Sequence, residues 1–197
     1  VTDSAAICAY LAEKHADKPE FRADMLVTLR NSADKLQALL ARLGRYGGQA
    51  GEAPRPVSVD ELLRDVAGRF AGQNIVVVER PPCEVLADRE ALEQALVHLV
   101  QNAIDAGDET SPVFLDCVGE ASHATIEVID YGSGMSPEFV RTRLFKPFNS
   151  SKPGGFGIGA FEARELVRAM GGRLEVESRE GLGTRFQIRL PVAGAAE

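Results

Sequence analysis

The chain has 197 residues, 45% of them apolar, and carries 22 basic against 29 acidic side chains for a net charge of −7. The apolar content suits a packed core and excludes a disordered chain, while the acidic balance disfavours the basic footprint of a nucleic-acid or anionic-membrane surface. The three cysteines, Cys8, Cys83 and Cys117, stand at no metal-ligand spacing and read as small apolar residues of a reducing compartment.

No apolar run approaches the ~20 residues that span a bilayer, and no leader pattern opens the chain. The expected location is the cytoplasm, with no membrane contact by this chain; an inner-membrane anchor would belong to a longer parent. Residues 4–17 and 20–43 read as two helices broken at Lys18-Pro19. In the second, Phe21, Met25, Leu29, Leu36, Leu39, Leu40 and Leu43 recur at three- and four-residue steps and make one apolar stripe. Arg22, Asp24, Arg30, Asp34, Lys35 and Arg42 occupy the opposite face. Such a hairpin cannot bury its stripe alone. The simplest partner is a second copy completing a four-helix bundle, hence a homodimer; the alternative is the chain's own larger domain. The stretch 47–56, rich in helix breakers, marks the boundary: a hairpin region over 1–47, a linker over 48–55 and a larger domain over 56–197.

In the larger domain, 56–59 is predicted as a short strand and Asp60 as the cap of a helix running to about 71. Strands follow at 75–78 and, after Pro81-Pro82, at 85–87. Asp88 suits the N-cap of a long helix that buries Leu92, Ala95, Leu96, Leu99, Val100 and Ile104 and stops near Gly107. Strands at 113–118 and 125–129 precede a loop-rich stretch over 131–157. A helix over 158–170, ended by Gly171-Gly172, and strands at 173–177 and 185–190 complete the domain. Strands and helices interleave, so the expected class is α/β: a two-layer sandwich of a mixed sheet with helices on one face.

Four short segments in the second half of the chain suit one ligand, a nucleotide. Asp130 ends an alternating strand and precedes Gly132 and Gly134. A buried carboxylate there accepts a hydrogen bond from an exocyclic amine, worth about 1.5–3 kcal/mol, and the glycines let backbone wrap a flat base. Taken alone, the same residues make a plain Asp-x-Gly turn. His98 and Asn102 lie four apart on the helix that Asp88 begins and so share a face. The Asn102 amide oxygen can join phosphate oxygens and water around Mg²⁺; His98 either orients water or contacts phosphate, or is a hydrogen-bonded, half-buried histidine. Gly155-Phe156-Gly157-Ile158-Gly159 opens the next helix, aligning N–H groups and a helix N-terminus where phosphate would sit. It matches neither the P-loop pattern nor a dinucleotide fold. Between them lies 144–152, which reads as a lid anchored by Phe145 and Phe148, with Lys152 either reaching phosphate or solvated at the surface. Gly181-Leu182-Gly183-Thr184 turns between the last strands, and the Thr184 hydroxyl can complete the base pocket.

In order and spacing these segments resemble the ATP-binding catalytic domain of sensor histidine kinases, a branch of the superfamily shared with gyrase, Hsp90 and MutL. The resemblance covers about 56–191 and extends to 4–43 as the tail of a dimerisation and phosphotransfer domain. It implies a Bergerat-type ATP-binding fold, ATP and Mg²⁺ as ligands, and a response-regulator receiver domain as partner. His98 to Asn102 match the N box, with His98 where many members have Asn or Glu. Asp130, Gly132 and Gly134 match the G1 box, 145–148 the F box, 155–159 the G2 box and 181–184 the G3 box. The wording of 147–178 is similar to kinases associated with exosortase and PEP-CTERM sorting.

One departure stands out. Such kinases phosphorylate a histidine followed at once by Asp or Glu, whereas His15, His98 and His123 are followed by Ala16, Leu99 and Ala124. The implied function is therefore the catalytic part of a protein-histidine kinase whose acceptor lies outside this chain. A dimeric scaffold signalling by conformation and an ATP-hydrolysing clamp are the alternatives; the clamp relatives use a glutamate where His98 stands.

Overall fold

The computed structural model describes Lys18 and residues 53–108, 110–149 and 157–194, so the predicted hairpin, Lys152 and Gly155 lie outside the described residues. Every element below belongs to the second of the chain's two units, Gly51–Glu197. β1 (Arg55–Ser58) pairs antiparallel with β3 (Glu84–Ala87) in a two-stranded ribbon. The main sheet has five strands in the order β2 (Ile75–Val77), β4 (Val113–Gly119), β5 (His123–Asp130), β7 (Gly183–Pro191), β6 (Arg173–Arg179). β2 runs parallel to β4 and all other pairs are antiparallel, so the sheet is mixed, as expected.

Among the described residues four helices accompany it: α1 (Val59–Arg69), α2 (Arg89–Ala106), α3 (Pro137–Thr142) and α4 (Gly159–Ala169). The period of two along each strand decides which face they cover. Val113, Leu115 and Cys117 of β4, Ala124, Ile126 and Val128 of β5, and Phe186, Ile188 and Leu190 of β7 are buried in one core. Leu62, Leu63 and Val66 of α1, Leu92, Leu96, Leu99 and Val100 of α2, and Ala163 and Val167 of α4 fill its other side. The opposite sheet face is polar. There Asp116 and Glu127 stand directly across from one another, a repulsive pair relieved by a two-pronged Arg80–Asp116 bond at 2.9 Å and by Arg185 and Gln187 on Glu127.

Local chemistry sets the helix ends. The Asp88 carboxylate accepts from the N–H groups of Glu90 and Ala91 at 3.0 and 3.1 Å, capping α2 as its sequence indicates. α4 ends on Gly171 at φ 75°, with the Gly172 N–H returning to the Val167 carbonyl. Asp60 is not the cap of α1. The cap position is Ser58, two residues earlier, and the helix starts at Val59, whose N–H donates to the Cys83 carbonyl, while Asp60 in the first turn receives the Ser58 hydroxyl. α3, within the stretch expected to be loop, is a short helix capped by Ser136 with Pro137 at its first position.

Candidate functional site

The alternation that buries Ala124, Ile126 and Val128 carries on to Asp130, which lies on the helix-covered face at the end of β5 and is 5% exposed. Its Oδ1 accepts two backbone N–H groups, from Gly132 at 2.9 Å and from Thr184, its partner across to β7, at 3.2 Å. These bonds fix the orientation of the carboxylate. The Thr184 hydroxyl lies 3.0 Å from the Ser178 hydroxyl, which donates to the Gly183 carbonyl and accepts the Met135 N–H. This network stitches the turn after β5 to the β6–β7 turn.

Glycine is required here by close approach. At Gly132 a β-carbon would overlap the Ala106 carbonyl at the end of α2, and at Gly134 (φ 61°) it would overlap the Arg179 carbonyl. The loop after Asp130 is thereby pressed between α2 and the β6–β7 turn, and the Ser133 N–H donates to the Ala106 carbonyl at 2.9 Å.

Asn102 and His98 lie one turn apart on α2, where α4 begins: a β-carbon on Gly159 would sit 3.6 Å from Asn102 Nδ2 and 3.8 Å from His98 Cβ. Ile158 is buried just ahead of α4 and its carbonyl accepts the Glu162 N–H. Gly157, at φ 63°, lies against the backbone of Asn149, leaving no room for a side chain. Thus Asn102, His98, Gly157, Ile158 and Gly159 form one group around the α2–α4 contact. Asp130, Gly132, Gly134 and Thr184 form a second around the end of β5, joined to the first through the end of α2.

The stretch before Gly157 departs from expectation in one respect. Phe145 packs against the core beside buried Leu144, but Phe148 is 51% exposed at φ 65° and stands outside that core. The partner of Phe145 is Arg164 of α4, whose guanidinium lies 4.8 Å from the ring centroid and donates to the Phe145 carbonyl at 3.2 Å.

Residues 87–194 match the family model described as histidine kinase-, DNA gyrase B- and HSP90-like ATPase. The chain belongs to this family. Its ATPase domain is similar to the C4-dicarboxylate transport sensor protein DctB of Rhizobium meliloti, 31% identical over 91% of this chain and 30% of DctB. It is also similar to DctS of Rhodobacter capsulatus, 40% identical over 55% of this chain and 17% of DctS. Among solved structures, full-length ShkA in complex with AMPPNP is 30% identical with a TM-score of 0.70, over 89% of this chain and 40% of ShkA. The catalytic domain of the histidine kinase ThkA is 27% identical with a TM-score of 0.61, over 70% of this chain and 95% of that domain. The chain thus spans about a third or less of the length of these curated relatives. The mixed sheet covered by helices is the histidine-kinase ATP-binding fold, and ATP binding follows from family membership.

Three residues of this ATPase domain escaped the sequence. Ser178 carried no signal. Arg164 is one of many surface arginines until Phe145 is brought beneath it. Glu162 reads as an ordinary first-turn acid, yet its Oε2 lies 2.9 Å from His98 Nε2, a residue 64 positions away. Among the described residues no helix is long and apolar enough to cross a membrane.

Proposed function

We propose that this chain is the catalytic part of a two-component protein-histidine kinase. In this role it binds Mg-ATP and positions the γ-phosphoryl group for transfer to a histidine outside the chain, from which it passes to an aspartate of a response-regulator receiver domain. The observation that carries the proposal is the Asp130 carboxylate. It is buried at a strand end and held by two backbone N–H groups, and glycines let the loop after it pack closely between α2 and the β6–β7 turn. An acceptor fixed in this way discriminates adenine, which offers an amine, from a base that offers a carbonyl there.

Asn102 is the residue to hold Mg²⁺. The donor fits that ion: Asn102 offers an amide oxygen where α4 begins, and Mg²⁺ takes one or two protein oxygens, completing its shell with phosphate and water. When bound, the ion neutralises phosphate charge. Gly157, Ile158 and Gly159 would present backbone N–H groups to the phosphates, with His98 next to Asn102; the sequence assigns Gly155 and Lys152 to the same phosphate-binding role. The protein's contribution is position and electrostatics rather than covalent chemistry. Dimerisation through the hairpin over 4–43 would bring such a domain to its acceptor. The wording of 147–178 favours a kinase of the exosortase-associated type.

Calorimetric titration with Mg-ADP and a non-hydrolysable ATP analogue, alongside Asp130→Asn, tests the proposal. Binding weakened at least ~tenfold by the substitution is expected from loss of one charged hydrogen bond. No binding at millimolar nucleotide by the folded protein would sink the kinase and leave a conformational scaffold.

A further inference from the structure

The geometry points to Glu162 as a positioning residue that acts through His98 to hold the metal-bearing face of α2 against the start of α4. This inference rests on the nucleotide site proposed above.

His98 and Asn102 share one face of α2, and α4 starts against both of them. Glu162, in the first turn of α4, reaches back across this contact to within 2.9 Å of His98 Nε2. Both side chains are largely enclosed, 27% exposed for His98 and 15% for Glu162. The Nε2 atom itself is shut off from solvent, and the Glu162 carboxylate is the polar group it meets, close enough for a hydrogen bond though off the ideal alignment for one. A buried ring nitrogen requires such a neighbour, since leaving it alone costs its full desolvation.

The location gives the pair its consequence. The apolar contacts between α2 and α4 are non-directional, so they fix the helices' proximity better than their relative slide. A polar tie beside Asn102 fixes the slide at the point where the amide oxygen of α2 and the leading N–H groups of α4 must converge on one polyphosphate. A displacement of about 1 Å at such a point is enough to matter for phosphoryl positioning. In this arrangement Glu162 acts through His98. It sets the His98 ring, and His98 sets the spacing.

The adenine end of the site, at Asp130 and Thr184, is held by other bonds. Loss of the tie should therefore be felt by the phosphates and not by the base. The full chain is titrated with Mg-ADP and with the Mg-bound ATP analogue, and adenosine is measured by competition, for wild type, Glu162→Ala and Glu162→Gln; thermal unfolding checks each fold. For Glu162→Ala the expected result is ~tenfold weaker binding of both phosphorylated ligands, the size of one hydrogen bond to a charged group, with adenosine unchanged within about twofold. Glu162→Gln keeps an acceptor oxygen and should bind within about threefold of wild type. Equal loss for adenosine and Mg-ADP, or no loss for Glu162→Ala, overturns the inference while leaving the nucleotide site in place. Failure of the wild-type protein to bind any of the three overturns both.

Discussion

At Gly183 the backbone stands at φ 93°, and a β-carbon would overlap the Asp130 carbonyl and come within 2.7 Å of the Tyr131 Cα. Gly181, two residues earlier at φ 75°, has open space around its missing side chain. The two glycines of one turn therefore separate two costs. Gly181→Ala carries only the left-handed backbone penalty, about 1–2 kcal/mol, and should leave nucleotide affinity unchanged. Gly183→Ala must part β5 from β7 where Asp130 faces Thr184, so it should lose nucleotide binding and melt far lower; thermal unfolding and titration of both variants decide it. On the polar face of the sheet, hydrogen bonding from Arg80 is the main cause holding the Asp116 carboxyl below its ordinary value, against burial, which raises it. A depressed carboxylate contributes stability above its unfolded pKa of about 3.9 and loses it as pH falls through the lower folded value. Asp116→Asn should accordingly lower the melting temperature at pH 7 and at pH 5, and the gap from wild type should close towards pH 3.

Among the elements, α4 serves the site through more than its N-terminus. Arg164 lies over Phe145 and Phe161, at 4.8 and 5.9 Å from their centroids, and donates to the Phe145 carbonyl, so it fastens the stretch before Gly157 to the helix after it. Arg164→Ala should destabilise the protein by about 1 kcal/mol, the scale of one partly exposed cation–π contact with its hydrogen bond, and speed amide exchange across 144–149. Arg164→Lys keeps the charge without the planar fork and should restore the overall stability more than the protection of those amides; hydrogen exchange by mass spectrometry reads both. The long elements were legible because burial imposes a period. α2 shows its apolar positions at three- and four-residue steps, and β5 shows them at every second residue, which also placed Asp130 on the inner face. α3 was not legible, because six residues give no period to read, although Ser136-Pro137 is itself a helix-start signal. Phe148 was misjudged for a different reason: composition marks an aromatic as an anchor, but a residue at φ 65° is placed by the path of its backbone. The meeting of Glu162 with His98 is fixed only by how two helices cross, and no local spacing encodes that.

In the second unit, strand ends and helix ends converge at the end of β5. The glycine-backed turns, Asp130 and Asn102 all gather there, at the end of β5 and around the α2–α4 contact. Such a domain can bind and orient a nucleotide by itself, since the groups proposed to hold the base, the metal and the phosphates belong to one packed unit. Transfer is different, because it needs a nucleophile brought in line with the γ-phosphate from outside that unit. The chain's histidines do not meet this need: His98 faces Glu162 across two helices, the His123 ring bonds Ser122 at 2.8 Å at the start of β5, and His15 is followed by Ala16 rather than an acid. The chain should therefore bind γ-labelled ATP without retaining acid-labile, base-stable phosphate after the nucleotide is removed. A longer parent that includes a histidine followed by Asp or Glu should retain it, and Asp130→Asn in that parent should slow labelling at least ~tenfold, the size of one charged hydrogen bond. Stable label on the present chain, abolished by His15→Gln, would place the acceptor within the hairpin region after all and make this a self-sufficient kinase.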